Sequence, residues 1–184
     1  KIKKVSKKFD DKEFDRIKKK VDFELTNDQN VALHEINKDL KSNQKMFRLL
    51  QGDVGSGKTI VALIASANVI SSGFQVCLMA PTEILARQHS NLANKLFDKN
   101  INIKILTSKT EYSERKEILK NLNNNNINLI IGTHSLFQEK IKYNNLGLII
   151  IDEQHKFGVK QRKKLSDKGG KNCDVLVMSA TPIP

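Results

Sequence analysis

Short apolar runs alternate with longer amphipathic segments along the chain from residue 46 onward. Six of these runs predict strands, at residues 46–50, 75–80, 103–106, 127–132, 146–151 and 174–178. Continuous apolar strands that are separated by helices indicate a parallel sheet whose two faces are both covered. The pattern therefore predicts an α/β fold, with a mostly parallel sheet and helices on both faces.

The segments between the strands predict helices at residues 60–67, 82–97 and 112–122, and residues 123–126 predict a polar turn. The stripe expected to be buried on the second of these helices consists of Ile84, Leu85, Leu92, Leu96 and Phe97. Upstream of the first strand, Thr26 is a candidate N-cap for a helix over residues 27–40.

Residues 1–24 are highly charged, with sparse apolar positions at Phe9, Phe14, Ile17 and Val21. This spacing allows one amphipathic helix that packs on the main body as a basic linker. The alternative is a solvated extension that is frayed at the terminus.

The composition limits the classes of protein to which this chain can belong. Hydrophobic residues make up 39% of 184 residues, enough for the core of one domain. No apolar run approaches the roughly 18 residues of a membrane span, so no membrane partner is expected. The lysine-rich start is not followed by an apolar segment, so it is not a secretory signal. Cys77 and Cys173 sit in or beside apolar runs and are expected to be core residues in a reducing compartment, the cytoplasm.

The net charge of +12 admits a nucleic-acid partner, but its distribution weakens the argument. Residues 1–20 hold ten basic and four acidic side chains, which is half of the excess. The chain is also rich in Lys, Asn and Ile, as proteins from AT-rich genomes are. Charge alone therefore leaves DNA binding and compositional drift as equal alternatives.

Residues 52–59 match the phosphate-binding pattern G-x-x-x-x-G-K-[ST], between an apolar run and a predicted helix. Backbone N–H groups of such a loop point at phosphate oxygens, the lysine reaches the β- and γ-phosphates, and the hydroxyl can ligate Mg²⁺. The sequence thus predicts an ATP and Mg²⁺ site. The residues of this loop are Gly52, Asp53, Val54, Gly55, Ser56, Gly57, Lys58 and Thr59.

A second candidate site follows the strand at 146–151, where Asp152 and Glu153 end a buried run. At the carboxyl end of a parallel strand, these carboxylates would face the phosphate loop. Asp152 could then hold Mg²⁺ through water, and Glu153 could orient and deprotonate the attacking water. The alternative is a strand end followed by ordinary surface acids.

Taken together, these segments resemble the motifs of superfamily 2 helicases and translocases. Residues 52–59, 152–155 and 179–181 look like motifs I, II and III, while residues 80–83 and 132–134 look like motifs Ia and Ib. Within this superfamily the chain is most similar to the RecG family of bacterial branch-migration helicases, over about residues 22–184. The Gln154 form of motif II separates it from the transcription-repair coupling and primosomal types. Lys156 and Ser179 depart from the family, which usually has Arg and often has Thr there.

The resemblance implies further roles. Gln29 would contact adenine, unless it is a solvated helical glutamine. Gln154 and His155 would sense the γ-phosphate and pass its loss to Ser179 and Thr181. Thr82, Arg87, Thr133 and His134 would approach the DNA backbone, although both threonines could simply cap helices. His34 and His89 match no partner in the pattern and are expected to be ordinary helix residues.

The resemblance also implies that residues 25–184 are the first RecA-like domain of a monomeric ATP-dependent DNA helicase. Its full-length chain would add a wedge domain of the OB-fold type and a second RecA-like domain, and this chain looks truncated before the latter. The expected substrate is branched double-stranded DNA, namely stalled forks and Holliday junctions. Three alternatives stay open: another superfamily 2 translocase, a nucleotide-binding module without turnover, and a small-molecule kinase, against which motifs II and III argue.

Overall fold

The computed structural model describes residues 2–10, 12–21, 23–52, 57–152 and 167–180, with the side chain of residue 21 excepted. Within them, six parallel strands form one sheet in the order β1-β6-β5-β2-β4-β3. The parallel α/β fold predicted from the apolar runs is therefore confirmed. The strands are β1 (Phe47–Gln51), β2 (Gln75–Met79), β3 (Ile103–Leu106), β4 (Leu129–Gly132), β5 (Leu146–Asp152) and β6 (Asp174–Ser179).

Five α-helices flank the sheet in the described parts of the chain. They are α1 (Lys12–Val21), α2 (Asn27–Lys41), α3 (Lys58–Ser71), α4 (Glu83–Leu96) and α5 (Tyr112–Asn123), with a 3₁₀ turn at His134–Phe137. Helix α3 is buried continuously from Val61 to Ile70, so it lies at the centre of one layer. Thr26 caps α2 as predicted, and Gln29 completes a capping box with it.

Successive residues of the inner strands contribute to opposite core layers, because side chains alternate across a sheet. On β2, Val76 and Leu78 join the layer that contains α1 to α4, whereas Cys77 and Met79 join the layer under α5. Cys77 and Cys173 are free and buried, which confirms them as core residues. Burial raises the pKa of the Cys77 thiol to about 12.

The predicted buried stripe of the 82–97 helix is wrong in part. Ile84 is 72% exposed, and the positions of α4 that face the sheet include Ala86, His89 and Ala93. Alanines let the helix backbone approach the strands closely, so the face with small residues packs inward. The leucines of the helix do not reveal the inward face, because Leu96 lies both on the predicted stripe and on the face that is buried in the structure.

The strand predicted at 46–50 is also less buried than expected. β1 is an edge strand paired to β6 alone among the described strands, and Phe47 and Leu49 are exposed while Leu50 is buried. An edge strand has a neighbour on one side only, so fewer side chains cover it.

The expectation of one helix over residues 1–24 is wrong for residues 2–10. This segment is extended and pairs with the loop between α2 and β1, where Lys3 bridges Gln44 and the Lys4 N–H donates to the Asn43 carbonyl at 2.8 Å. The helical part begins at Lys12, and Ile17 enters the core. The domain division at residue 25 stays a prediction.

Two buried lysines hold this extended segment to the sheet. The Nζ atoms of Lys4 and Lys7 lie 2.6 and 2.7 Å from the same Asp174 Oδ2, and all three side chains are 0% exposed. Burial lowers the pKa of Lys4, against the opposing effect of its hydrogen bond to Asp174. The other carboxylate oxygen of Asp174 accepts the Met46 N–H at 2.7 Å, so the ion cluster joins the segment to both β6 and the start of β1.

Among the described residues, no helix is long and apolar enough to cross a membrane.

Candidate functional site

Three strands bring the candidate residues to one edge of the sheet. β1, β5 and β6 end at Gln51, Asp152 and Ser179, with Gln51 in register with Ser179 and Asp152 in register with Met178. The ladder continues one residue further, because the N–H of Gly52 donates to the Ser179 carbonyl at 3.2 Å. The first glycine of the phosphate loop is therefore anchored to the strand that carries motif III.

Lys58 opens α3 on the other side of the loop. Gly57 precedes it with φ of 81°, a left-handed conformation that glycine adopts without strain. The Lys58 ammonium donates to the Gly52 carbonyl at 2.6 Å, so it points back across the mouth of the loop. Thr59 lies in the first turn of the same helix. The positive end of α3 and an ammonium group thus meet at the place where the sequence predicts phosphates.

Gln29 lies against this loop and is not a freely solvated glutamine. Its Oε1 accepts the Thr26 N–H at 2.8 Å, and its Nε2 donates to the Gly57 carbonyl at 3.4 Å. A Cβ at position 57 would overlap the Gln29 amide, so the glycine leaves room for it. A cleft of about 410 Å³ opens beside these groups, lined in part by Asp28 and Lys58. Its position suits a base next to the phosphates, and contact with adenine stays a prediction.

Asp152 has a partner that the sequence did not predict. Nε2 of His89 lies 2.6 Å from its Oδ2, and the two side chains are only 9% and 15% exposed. An ionised carboxylate can only accept hydrogen bonds, so the ring nitrogen is the donor. The expectation that His89 is an ordinary helix residue is therefore wrong. The sequence does contain one signal for this contact: His89 lies two helical turns after Thr82, on the same face of the helix as Ala86.

The first turn of α4 is tied to the loop after β3. Thr82 caps the helix by accepting the Leu85 N–H at 3.2 Å, which is the capping alternative considered for it. Glu83 accepts from Arg87 at 3.0 Å and from the Thr107 hydroxyl at 3.3 Å. Desolvation acts to raise the pKa of Glu83, but Arg87, the nearby Lys109 and Thr107 hold it below its usual value. Thr82 and Arg87 are both exposed, and their contact with DNA stays a prediction.

The other candidate DNA contacts lie at the end of β4. Thr133 occupies the N-cap position of the 3₁₀ turn without a side-chain capping bond, and His134 is exposed. β4 pairs with β2, the strand that leads into Thr82. Both predicted DNA-contacting segments therefore leave the sheet at the same edge as the phosphate loop, on neighbouring strands.

Eight predicted site residues lie outside the described part of the chain. They are Asp53, Val54, Gly55, Ser56, Glu153, Gln154, His155 and Thr181. Their assignments rest on the sequence alone and stay predictions.

The described groups fit a magnesium nucleotide. Asp152 and Thr59 supply the oxygen ligands that Mg²⁺ prefers. Lys58 and the N-terminus of α3 supply positive charge for phosphates. The arrangement can therefore bind a nucleotide and place its terminal phosphate near the ends of β5 and β6.

Comparison with known proteins agrees with this geometry. A family model described as DEAD/DEAH box helicase matches residues 26–184. The ATP-dependent DNA helicase RecG of Bacillus subtilis is 49% identical over 181 residues, which is 98% of this chain and 26% of that protein. RecG of Aquifex aeolicus is 51% identical over 167 residues, which is 90% of this chain and 21% of that protein. This chain thus spans about a quarter of the length of these relatives.

Solved structures give the same picture. The structure of RecG bound to a three-way DNA junction matches 99% of this chain and 24% of that chain, with a TM-score of 0.86 and 45% identity. The helicase domain of Pyrococcus furiosus Hef matches 91% of this chain and 35% of that chain, with a TM-score of 0.68 and 21% identity, a likeness of fold alone. The expected RecA-like α/β fold is confirmed.

Proposed function

Because this chain belongs to the DEAD/DEAH box helicase family, we propose that it is the ATP-binding motor domain of a RecG-like ATP-dependent translocase on duplex DNA. One observation carries the proposal: the phosphate-loop glycine Gly52, Lys58 and Asp152 converge at one edge of the sheet, where Gly52 is bonded to Ser179. A small-molecule kinase would not need the bond between Gly52 and Ser179, since it has no motif III that responds to the nucleotide. Identity near 50% to two RecG proteins supports this subfamily.

The residues divide the work of hydrolysis among them. The backbone of residues 52–57 cradles the phosphates, and Lys58 neutralises charge on the β- and γ-phosphates. Thr59 and Asp152 would hold Mg²⁺, and the ion would supply Lewis-acid stabilisation of phosphate charge when bound. Glu153 orients the attacking water and accepts its proton.

Coupling to movement runs through the ends of β5 and β6. Gln154 and His155 would sense the γ-phosphate, and the change would pass to Ser179, at the end of the neighbouring strand β6, and to Thr181 after it in the sequence. The bond from the Gly52 N–H to the Ser179 carbonyl supports this route, since it joins the first glycine of the loop directly to the end of β6. Contacts of the exposed Thr82, Arg87 and His134 and of the half-buried Thr133 with phosphates would hold the DNA without reading its sequence.

The proposed partners rest on the resemblance to RecG. The curated relatives are about four times longer than this chain, and we propose that the full-length protein adds a wedge domain and a second RecA-like domain and acts as a monomer in the cytoplasm. Its substrate would be branched double-stranded DNA, as the junction bound to RecG suggests. The cofactors would be ATP and Mg²⁺.

The test is ATP turnover by the full-length protein with no DNA, linear duplex, single strands and a three-way junction, at fixed salt because phosphate contacts are salt-dependent. Stimulation that is strongest with the junction would support the proposal. Turnover that is independent of DNA would contradict it, and stimulation by single strands alone would favour another superfamily 2 helicase.

A further inference from the structure

His89 connects the candidate magnesium site to helix α4. It lies on α4, whereas Asp152 ends β5, and 63 residues separate the two along the chain. The contact of 2.6 Å is almost enclosed, with 9% of the imidazole and 15% of the carboxylate exposed. A hydrogen bond to an ionised group in such surroundings is short and strong.

The packing of α4 keeps the imidazole in place. Ala86 and Ala93, about one turn before and after His89, are fully buried against the core. The small side chains hold the helix close to the sheet, and Leu96 anchors its last turn in the same layer. The position of the imidazole therefore depends on the position of the whole helix.

The N-terminal end of α4 lies at the candidate DNA contacts. Its N-cap is Thr82, and Arg87 lies on its exposed side. The Glu83 carboxylate links this first turn to Thr107, beyond the end of β3. One rigid helix thus spans from the candidate DNA contacts to a ligand of the candidate metal site.

We propose that His89 is a positioning residue that fixes the Asp152 carboxylate for Mg²⁺ and makes the placement of α4 depend on the bound magnesium nucleotide. The inference rests on the proposed function, which supplies the role of Asp152. His89 donates Nε2–H to Oδ2 and selects one orientation of the carboxylate. Partners that orient a ligand in this way typically change metal affinity about 10- to 100-fold when they are lost. Because coupling of binding equilibria is reciprocal, Mg²⁺ held by Asp152 must in turn stabilise α4 in its packed position.

The experiment measures the Mg²⁺ dependence of nucleotide binding to the full-length protein with a fluorescent ATP analogue. His89→Leu removes the donor, His89→Gln keeps an amide donor at similar reach, and His34→Leu makes the same change at an exposed position of α2. We expect His89→Leu to raise the half-saturating Mg²⁺ concentration about 10- to 100-fold, with nucleotide binding in EDTA unchanged. His89→Gln is expected to restore most of the wild-type dependence, and His34→Leu is expected to match wild type.

Hydrogen exchange provides a readout that does not depend on binding curves. Magnesium nucleotide should slow exchange in residues 83–96 of the wild type and of His89→Gln, but not of His89→Leu. If His89→Leu does not fold, His89→Asn replaces it, because this amide is too short to reach Asp152 and should also raise the Mg²⁺ requirement. A folded His89→Leu or His89→Asn protein with the wild-type Mg²⁺ dependence would overturn the inference.

Failure of the underlying assignment would look different. If the wild type binds nucleotide equally with Mg²⁺ and with EDTA, and Asp152→Asn changes nothing, the proposed magnesium site is wrong, and the inference falls with it. If Asp152→Asn abolishes the Mg²⁺ dependence while the His89 variants keep it, the site stands and the inference alone is wrong.

Discussion

Lys58 joins two backbone elements at the phosphate loop, through its hydrogen bond to the Gly52 carbonyl. That bond keeps the ammonium at the mouth of the loop, but a neutral carbonyl is a weaker partner than a phosphate, since the negative charge of a phosphate adds Coulomb attraction to the hydrogen bond. A nucleotide can therefore take the ammonium over without a large penalty. The side chain serves ligand binding more than it serves the fold.

We accordingly expect Lys58→Ala to weaken binding of Mg·ATP about tenfold to a hundredfold, the range for loss of a hydrogen bond to a charged group. The melting temperature should change little, because Lys58 is half-buried at the mouth of the loop and its side chain is not part of the hydrophobic core. Binding is measured by calorimetry and folding by circular dichroism. Lys38→Ala, at an exposed position of α2, is the matched control. Normal binding by Lys58→Ala would contradict the site assignment.

Glu153 follows Asp152 directly, and its role is predicted from the sequence. In the full-length protein, we expect Glu153→Gln to bind Mg·ATP normally and to hydrolyse it about 10²- to 10⁴-fold more slowly. The amide keeps the shape of the side chain but cannot accept the proton of the attacking water. Single-turnover hydrolysis and nucleotide binding are measured together, with Glu24→Gln at an exposed position as control. Loss of binding as well as hydrolysis would make Glu153 a metal ligand or a structural residue.

At the scale of elements, the strands were predictable and the N-terminal segment was not. β2, β4, β5 and β6 are buried on both faces, so their residues form continuous apolar runs that show in the sequence. Residues 2–10 carry no such signal. Burial of Lys4 and Lys7 requires Asp174, which lies more than 165 residues away, and no local pattern reports that pairing.

In the candidate site, too, some features show in the local sequence and others do not. The phosphate loop and the end of β5 could be proposed as a site from the sequence because consecutive residues carry the chemistry, and the roles of these residues stay predictions. His89 was missed because its importance depends on Asp152, a contact between distant parts of the chain. The error in the buried face of α4 had the same origin, since the alanines that face the sheet are less conspicuous than the exposed Ile84.

The cluster of Lys4, Lys7 and Asp174 makes the N-terminal segment part of the folded unit, so loss of the carboxylate should be costly. We expect Asp174→Asn to lower the free energy of unfolding by about 3–5 kcal/mol, because it leaves two buried ammonium groups without their counter-ion. Lys4→Met should cost less, since Lys7 and Asp174 then form a one-to-one pair.

Urea unfolding of the chain, followed by circular dichroism, measures these changes. Asp98→Asn is the matched control, because Asp98 pairs with Lys20 at the same distance of 2.6 Å but at the surface, where a pair contributes little. Equal losses for Asp174→Asn and Asp98→Asn would show that the buried cluster does not hold the segment.

At the scale of the whole molecule, the chain spans about a quarter of the length of its relatives, and in the proposed motor a second RecA-like domain would cover the nucleotide. The arginines that neutralise charge on the γ-phosphate in such motors would come from that domain. The four described arginines of this chain are each bound to neighbours: Arg16 to Glu13, Arg48 to Glu35 and Asp39, Arg87 to Glu83, and Arg115 to Gln138. None of these contacts involves a residue of the phosphate loop.

If the proposed function is right, the 184-residue chain holds only part of an ATP site, which predicts how it behaves by itself. Arginine fingers contribute about 10³–10⁵ in rate at comparable phosphoryl-transfer sites, and water around an open site weakens each electrostatic contact. We therefore expect weak nucleotide binding, almost no ATP turnover and no stimulation by a model fork. Turnover is measured with and without the fork, at low and moderate salt, and DNA binding should fall with salt and ignore sequence. Robust fork-stimulated hydrolysis whose rate is first order in protein concentration would contradict the view that the chain holds only part of an ATP site. A second-order dependence would instead mean that two copies of the chain assemble a shared site.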